Sequence, residues 1–375
     1  MNHWKMLLAT VALCLSNFSH AQSVGPADAQ ALEQAGKLAE AAQVWRTITK
    51  QNPSDAGAFA SLGVVLSKEE RYQEAASAYR RAIALNPKLP GVQLNLGLAE
   101  FKQGHFNSAI APLKAALDSQ PTSTQARTLL GISCYGARRF ADAVQYLAPV
   151  AKADPDNTQL HQTLAQSCLW AKQYNCALQE FLHILQKAPD SPAAHILMGE
   201  ALDGLGRTPE AIAEFEAAAK ISPREPNVYF GLGYLYWRSH QYEQAAREFQ
   251  NQLSADPGNA QALAYLGDIE MKKNNPGKAL SYLRRAVEAR NDLRIAYVDL
   301  GAVLAGQKQY QDAIAPLKRA VDLDPSQPDA HYRLGRVYQA MGNRAAARQE
   351  FKKVQELHQK ADEDIASKMA AASAK

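Results

Sequence analysis

Cysteine, tryptophan and long apolar segments are scarce in this sequence. Four cysteines and four tryptophans occur in 375 residues, and the longest apolar run covers only residues 6–15. Ten residues are too few to cross a bilayer comfortably, so no transmembrane helix is expected. Basic residues number 41 against 37 acidic ones, and the two kinds are interspersed. Because phosphate binding needs a concentrated basic stripe, nucleic acid is not expected as a partner.

The sequence motifs of common catalytic sites are also missing. No glycine-rich loop ends in Lys-Ser or Lys-Thr, which would bind phosphate, and no His-Glu-x-x-His or paired Cys-x-x-Cys spacing indicates zinc. Carboxylates are plentiful, but nothing in their spacing selects a catalytic pair. We therefore expect no enzymatic activity, no cofactor and no metal site.

The first 21 residues have the parts of a secretory signal peptide in the expected order. Lys5 supplies the positive charge, residues 6–15 the apolar run, and Ser19-His20-Ala21 the small residues at a cleavage site. The sequence predicts cleavage near Ala21 and a periplasmic or secreted protein. Two alternatives remain open: the segment is retained as an anchor, or Cys14 carries a lipid.

Three cysteines follow the predicted signal peptide: Cys134, Cys168 and Cys176. An odd number outside the cytoplasm leaves at least one thiol free or bonded to another chain. Two interpretations of Cys168 and Cys176 remain open. They form a disulfide across one helical hairpin, or they are small buried apolar residues.

A strict 34-residue period runs through most of the chain. A glycine or alanine returns at each step, an alanine follows it by twelve residues, and a large apolar residue follows it by sixteen. The small residues are Gly63, Gly97, Gly131, Ala165, Gly199, Gly233, Gly267, Gly301 and Gly335; the alanines run from Ala75 to Ala347, and the large residues from Tyr79 to Phe351. Two small side chains at this offset let two antiparallel helices approach closely, and 34 residues match a helix-turn-helix repeat.

Proline ends seven of the nine repeats at the same place: Pro87, Pro121, Pro155, Pro189, Pro223, Pro257 and Pro325. Proline cannot continue the helix that it follows, so it separates one repeat from the next. Together with the small and large positions, this pattern resembles the tetratricopeptide repeat (TPR) family over nearly the whole mature chain. The resemblance implies an all-α fold, a right-handed superhelical solenoid of about ten repeats.

The period also divides the chain into segments. Residues 1–21 are the predicted signal peptide, residues 22–55 a degenerate N-terminal repeat, and residues 56–361 nine tandem repeats. Residues 362–375, rich in Ala, Ser, Asp and Lys, are expected to form a polar capping helix or tail. Gly25-Pro26 is expected to shorten the first helix of the degenerate repeat. His161, His195 and His331 recur at one place of the repeat, which indicates a structural role rather than metal binding.

In the family that the sequence resembles, the first helix of each repeat lines a concave inner face. Side chains at the second, fifth, ninth, twelfth and thirteenth places of each repeat point to that face; places are counted from Ala56 in the first tandem repeat. Aromatic residues are enriched where proteins bind one another, so seven of the aromatic and apolar residues at these places are the candidate partner-binding residues. They are Leu98, Phe101, Tyr135, Trp170, Phe230, Tyr234 and Trp237.

The sequence therefore favours a non-enzymatic scaffold outside the cytoplasm that binds a protein or peptide partner in an aromatic-lined groove. The partner is expected to be an apolar or aromatic segment of an envelope or secreted protein, within a possible envelope complex. One alternative is a protein that binds small molecules or glycans, with the same aromatic rings as stacking platforms. A purely structural role through self-association is another.

Overall fold

The computed structural model describes residues 25–373, and every regular element in that range is an α-helix. The described residues divide into two compact units, up to residue 167 and from residue 168 onward, with the boundary inside helix α9. The N-terminal unit contains α1 (Pro26–Gln34), α2 (Leu38–Gln51), α3 (Ala56–Lys68), α4 (Tyr72–Leu85), α5 (Val92–Lys102), α6 (Phe106–Ser119), α7 (Thr124–Gly136), α8 (Phe140–Ala153) and most of α9 (Thr158–Trp170). It holds the degenerate repeat and the first repeats of the tandem array.

The C-terminal unit contains the end of α9 and eleven further helices. They are α10 (Tyr174–Lys187), α11 (Pro192–Gly204), α12 (Thr208–Ile221), α13 (Val228–Arg238), α14 (Tyr242–Ala255), α15 (Ala260–Lys272), α16 (Pro276–Ala289), α17 (Arg294–Gly306), α18 (Tyr310–Leu323), α19 (Pro328–Ala340) and α20 (Arg344–Ser373). Odd-numbered helices are the first helices of the repeats and even-numbered ones the second. The predicted all-α fold of helix-pair repeats is confirmed.

The two helices of each repeat interlock through the small and large residues that define the period. A Cβ atom placed on any glycine of the series would lie 2.4–2.8 Å from the large side chain sixteen residues later. At Gly97, for example, it would lie 2.4 Å from Leu113 Cγ. Real Cβ atoms do not approach that closely, so at these eight positions the absence of a side chain on glycine lets the large side chain cross the first helix. The alanines twelve residues on are buried as well.

The tight turn between the two helices uses left-handed backbone at one fixed place. Glycine occupies this place in four pairs, at Gly36, Gly104, Gly206 and Gly342. In six pairs a residue with a side chain has positive φ there: Glu70, Arg138, Lys172, His240, Asn274 and Lys308. Such a conformation costs a non-glycine residue about 1 kcal/mol, which the packing of the two helices offsets at each turn.

The ends of the array differ from its middle. Helix α1 is only nine residues long and begins at Pro26, with Gly25 as its N-cap. At the other end, the second helix of the last repeat, α20, runs without a break from Arg344 to Ser373 and so includes most of the segment 362–375 that we expect to form a polar capping helix or tail. No glycine or proline occurs in that span to end the helix. The predicted signal peptide, residues 1–21, lies outside the described residues.

Cys168 and Cys176 form a disulfide that ties α9 to α10. Their Cα atoms are 5.7 Å apart, within the range that a disulfide spans. Cys134 is the free cysteine of the described region and is buried, and burial raises the pKa of its thiol to about 11. Of the two interpretations left open by the sequence, the disulfide is the one that the structure contains.

Thiol counting tests this pairing directly. We expect that reducing the denatured, air-oxidised protein increases the number of titratable thiols by two. This difference does not depend on whether Cys14 is present. In the folded, unreduced protein, Cys134 should react slowly with thiol reagents, because a buried thiol with a raised pKa is rarely a thiolate. An identical count before and after reduction would exclude the disulfide.

Candidate functional site

The predicted binding residues lie on one face of the first helices, here called the first-helix face. It comprises the second, fifth, ninth, twelfth and thirteenth places of each repeat. Within the N-terminal unit, α3 packs against α5 and α5 against α7. Within the C-terminal unit, α15 packs against α17 and α17 against α19. The first helices therefore form a continuous row in each of these segments.

In the N-terminal unit, the two aromatic candidates pack against the second helix of their own repeat. Phe101 meets Phe106 edge to face with ring centroids 5.7 Å apart, and Tyr135 meets Phe140 in the same way at 6.0 Å. Leu98 lies one helical turn before Phe101 on α5, and all three candidates are half-buried. Each ring thus has one side in the fold, and part of its surface stays accessible.

In the C-terminal unit, three candidates come together with a fourth ring to form an aromatic cluster: Phe230, Tyr234 and Trp237 on α13 and Tyr265 on α15. Tyr265 is the centre, with its ring 6.0 Å from Phe230, 5.9 Å from Tyr234 and 5.0 Å from Trp237. Tyr234 and Trp237 stack at 6.2 Å. All four side chains are half-buried.

Sequence reasoning missed Tyr265, because it occupies the sixth place of its repeat rather than a place of the first-helix face. Its other side stacks on the buried core residue Phe249 at 5.2 Å. Burial raises the pKa of its hydroxyl, with a smaller contribution from Tyr234. Tyr265 therefore joins the aromatic cluster to the core, and the cluster is a rigid part of the fold.

Polar side chains of the next repeat orient two of the aromatic candidates. The indole Nε1 of Trp237 donates a hydrogen bond of 2.6 Å to Asp268 Oδ2. The hydroxyl of Tyr135 donates one of 2.5 Å to Gln166 Oε1. In both cases a residue at the twelfth place donates to one at the ninth place of the following repeat, 31 residues later. Buried or half-buried aromatic donors need such partners, and here the partner fixes the ring on the first-helix face.

Ion pairs border the aromatic cluster on two sides. Arg238 donates to both carboxylate oxygens of Asp203, and its guanidinium lies over the Tyr234 ring at 5.9 Å. Lys272 Nζ lies 3.4 Å from the Asp268 Oδ1 atom. The cluster therefore has an apolar centre and a charged rim, the usual arrangement of a protein-binding hot spot.

Trp170 differs from the other candidates in its exposure. It is the last residue of α9, and half of its surface (50%) is accessible to solvent. Trp170 is therefore the most exposed of the seven candidate residues. The structure thus brings Phe230, Tyr234 and Trp237 into one cluster, while Leu98, Phe101, Tyr135 and Trp170 occupy other positions on their own helices.

Among the described acids of the C-terminal unit, Asp299 on α17 has the pKa that lies furthest from its ordinary value. Burial raises the pKa of its carboxyl to about 7, and the negative charge of Asp268 adds to this effect. The positive charges of Arg333 and Lys272 oppose it. No cation compensates the carboxylate fully, so ionising Asp299 costs the folded protein free energy.

The stability of the protein should therefore fall with rising pH because of Asp299. In the unfolded chain its pKa is about 3.9, so between about pH 4 and 7 the unfolded chain releases this proton while the folded chain keeps it. The contribution of protonated Asp299 to the free energy of unfolding is present at pH 4 and is lost by pH 7. We expect Asp299→Asn to unfold with nearly the wild-type free energy near pH 4, and to be more stable by on the order of 4 kcal/mol at pH 8. Urea unfolding at the two pH values measures this; a variant equal to or less stable than wild type at pH 8 would contradict it.

The recurring histidines take part in pairs between the two helices of a repeat. His195 Nδ1 lies 2.6 Å from Glu214 Oε2, and His331 Nδ1 lies 2.7 Å from Glu350 Oε2. Each pair joins the first helix of a repeat to the second helix of the same repeat, which is a structural role. Within residues 25–373 no cluster of three or more His, Cys, Asp or Glu side chains is arranged to hold a metal ion.

These observations define a helical repeat protein with a partly exposed aromatic face. Four family models match the chain over seven ranges. The model described as "TPR repeat" matches residues 204–239 and 305–342, and three models described as "Tetratricopeptide repeat" match residues 66–132 and 135–201, residues 27–90 and 230–294, and residues 328–360. The chain belongs to the tetratricopeptide repeat family. Repeats of this family support a role as a protein–protein interaction scaffold, and such scaffolds are generally not enzymes.

Several solved structures are similar to this chain. YrrB, whose structure is described as a TPR protein with an unusual peptide-binding site, is 25% identical, with a TM-score of 0.41 over 47% of this chain and 91% of that one. MamA is 23% identical, with a TM-score of 0.41 over 44% and 97%. The APC/C hetero-tetramer Cut9–Hcn1 is 13% identical, with a TM-score of 0.49 over 88% and 80%. Comparison with curated proteins gives no match.

In the described part of the chain, no helix combines the length and the apolar composition needed to cross a membrane.

Proposed function

We propose that this protein is a non-enzymatic scaffold that binds polypeptide segments on its first-helix face, with the aromatic cluster of the C-terminal unit as the main contact. The observation that carries the proposal is the arrangement of Tyr234, Trp237 and Tyr265. The three rings are half-buried, supported by the core and fixed by the hydrogen bond from Trp237 to Asp268. Rigid aromatic side chains lose little conformational entropy on binding and bury a large apolar area.

A peptide in extended or helical form suits this surface better than a large folded partner. Peptides bind repeat proteins through a few anchor side chains, and each anchor needs a pocket or ring on the receptor. The stacked pair Tyr234 and Trp237 offers one anchor position, and Trp170 offers another exposed ring. An apolar or aromatic residue of the partner is the expected anchor.

The compartment that we propose is the periplasm or the exterior of the cell. Two observations support it: the signal-like order of residues 1–21 and the disulfide between Cys168 and Cys176. Disulfides persist outside the cytoplasm and are usually reduced within it. An envelope or secreted protein is accordingly the expected source of the bound segment, within a possible envelope complex.

A crosslinking pull-down from the envelope fraction tests this function. One bait is the wild-type mature protein, and a second carries alanine at Tyr135, Trp170, Tyr234 and Trp237. A third carries Leu182→Ala, which removes a comparably exposed apolar side chain from a second helix. Thermal unfolding of each bait shows first that the variants are folded.

We expect one protein to be captured by the wild type and the Leu182→Ala bait and lost from the four-alanine bait. Equal capture by all three baits would place the interface away from the first-helix face. The stacked Tyr234 and Trp237 rings also suit a sugar or another flat small molecule. A soluble ligand that quenches Trp237 fluorescence, with no captured protein, would favour that second function.

A further inference from the structure

A recess lies on the C-terminal unit, between α17 and α19. It has a volume of about 350 Å³. Ala302 and Ala305 of α17 and Val337 of α19 form its apolar floor, and Tyr332, Arg333 and Arg336 of α19 border it. Ligand sites of roughly 300–1,000 Å³ with apolar walls and a few polar groups are typical of proteins. This recess, here called the α17–α19 cavity, is at the small end of that range.

The cavity lies where this repeat carries a small residue at a place that three other repeats fill with an aromatic ring. Ala305 occupies the twelfth place, which Tyr135 and Trp237 fill in their repeats. The next residue, Gly306, also faces open space, since a Cβ atom built on it would meet no atom within 4 Å. The space beside Ala305 and Gly306 is therefore open to a side chain of another molecule.

The two arginines beside the cavity differ from the other arginines on the first helices of the C-terminal unit. Four arginines occur in the first helices of the C-terminal unit. Arg238 pairs with Asp203 and Arg294 with Asp329. The other two are Arg333 and Arg336.

Arg333 and Arg336 are one helical turn apart on α19 and therefore lie on the same side of the helix. Both are exposed. Arg336 donates to the Tyr332 hydroxyl at 3.2 Å, and neither forms an ion pair within residues 25–373. The charge of Arg333 acts on Asp299, whose pKa of about 7 leaves it only partly ionised at neutral pH.

We propose that the α17–α19 cavity binds an apolar side chain of a partner polypeptide that is flanked by a carboxylate, and that Arg333 and Arg336 bind this carboxylate. The guanidinium group presents its donors as a planar fork that matches a carboxylate. The apolar floor takes the neighbouring side chain. The chemistry recognised is thus an acidic residue next to an apolar one. This inference rests on the proposed function as a polypeptide-binding scaffold and adds a charge requirement to it.

A random dodecapeptide library, selected on the whole protein, tests the proposal. Selection uses the wild type, Arg333→Glu/Arg336→Glu, and the matched control Lys278→Glu/Arg284→Glu. The control makes the same charge change at exposed positions of the second helix α16. A further variant, Ala305→Trp, fills the cavity and keeps both arginines. Melting curves establish that each variant is folded.

We expect the wild type and the control to enrich peptides with Asp or Glu beside Leu, Ile, Val or Phe. Their affinity should fall at least tenfold on Arg333→Glu/Arg336→Glu and on Ala305→Trp. The charge-reversed variant should enrich Lys or Arg in place of the acid.

Peptides that bind all four proteins equally, and lose affinity only on Trp237→Ala, would overturn this inference and leave the proposed function standing. Failure of the wild type to enrich any peptide would contradict both. Octanoate, an apolar carboxylate without a peptide backbone, is titrated in parallel. Octanoate binding that depends on Arg333 and Arg336 with no peptide enriched would replace the polypeptide by a small carboxylate ligand.

Discussion

Replacing Ala211 by leucine is expected to lower the free energy of unfolding by about 1–3 kcal/mol, the usual cost of overpacking a close-packed core. Ala211, on α12, is completely buried. It faces Gly199 of α11, where a Cβ atom would already lie 3.2 Å from the Ala211 carbonyl oxygen and 2.7 Å from the Phe215 ring. Three additional carbon atoms have no space at this crossing, so the two helices must separate.

The damage should extend beyond one repeat. In an array whose repeats contact only their neighbours, stability is a sum of repeat and interface terms, and a central defect weakens both adjoining interfaces. Urea unfolding followed by circular dichroism measures the loss, and hydrogen exchange measures how far along the chain it extends. Ala213→Leu is the matched control, since Ala213 lies on the same helix and is exposed. An unchanged unfolding midpoint for Ala211→Leu would mean that the pairing of α11 with α12 is wrong.

Replacing Trp237 by alanine is expected to weaken binding of the partner by about 2 kcal/mol or more, roughly thirtyfold, as for a central aromatic hot spot. The substitution removes the ring that stacks on Tyr234, and it leaves Asp268 without its indole donor. Both changes act at the surface that we propose the partner contacts. The core ring Phe249 still supports Tyr265, so the fold should persist.

The affinity of the wild type, Trp237→Ala and Leu182→Ala for the captured partner segment, measured by titration calorimetry, tests this expectation. Leu182→Ala should bind like the wild type because its side chain lies on the second helix α10. Asp268→Asn measures what the negative charge beside Trp237 contributes to binding, since it keeps the ring and a hydrogen-bond acceptor for the indole and removes the charge. Wild-type affinity in Trp237→Ala would remove this residue from the interface.

The fold was predictable from the sequence because one short-range rule repeats. A small residue, an alanine and a large residue at fixed offsets can pack only as a helix pair, and the contact between Gly97 and Leu113 shows the rule at atomic distance. The extent of α20 was not predictable in the same way. The period ends near residue 361, but nothing in the following sequence breaks the helix, so local propensity carries α20 on to Ser373.

The candidate site was only partly predictable, because its geometry depends on contacts between repeats. Position within the repeat placed Trp237 on the first-helix face, but only the structure shows that its indole donates to Asp268. Tyr265 lies at a place assigned to no face, and the neighbouring helix brings it to the centre of the aromatic cluster. The α17–α19 cavity lies where Ala305 has a small side chain. The repeat pattern marks the positions of large residues, and it does not show where a small residue leaves a cavity.

Site-specific photocrosslinking tests the central claim, that the partner binds on the first-helix face, most directly. A photoreactive phenylalanine analogue is placed at Gln261, an exposed residue on the first helix α15, and in a second protein at Leu182, an exposed residue on the second helix α10. We expect irradiation with the partner present to give a covalent adduct from position 261 and none from position 182. Adducts from position 182 alone would contradict the account and move the interface to the second helices.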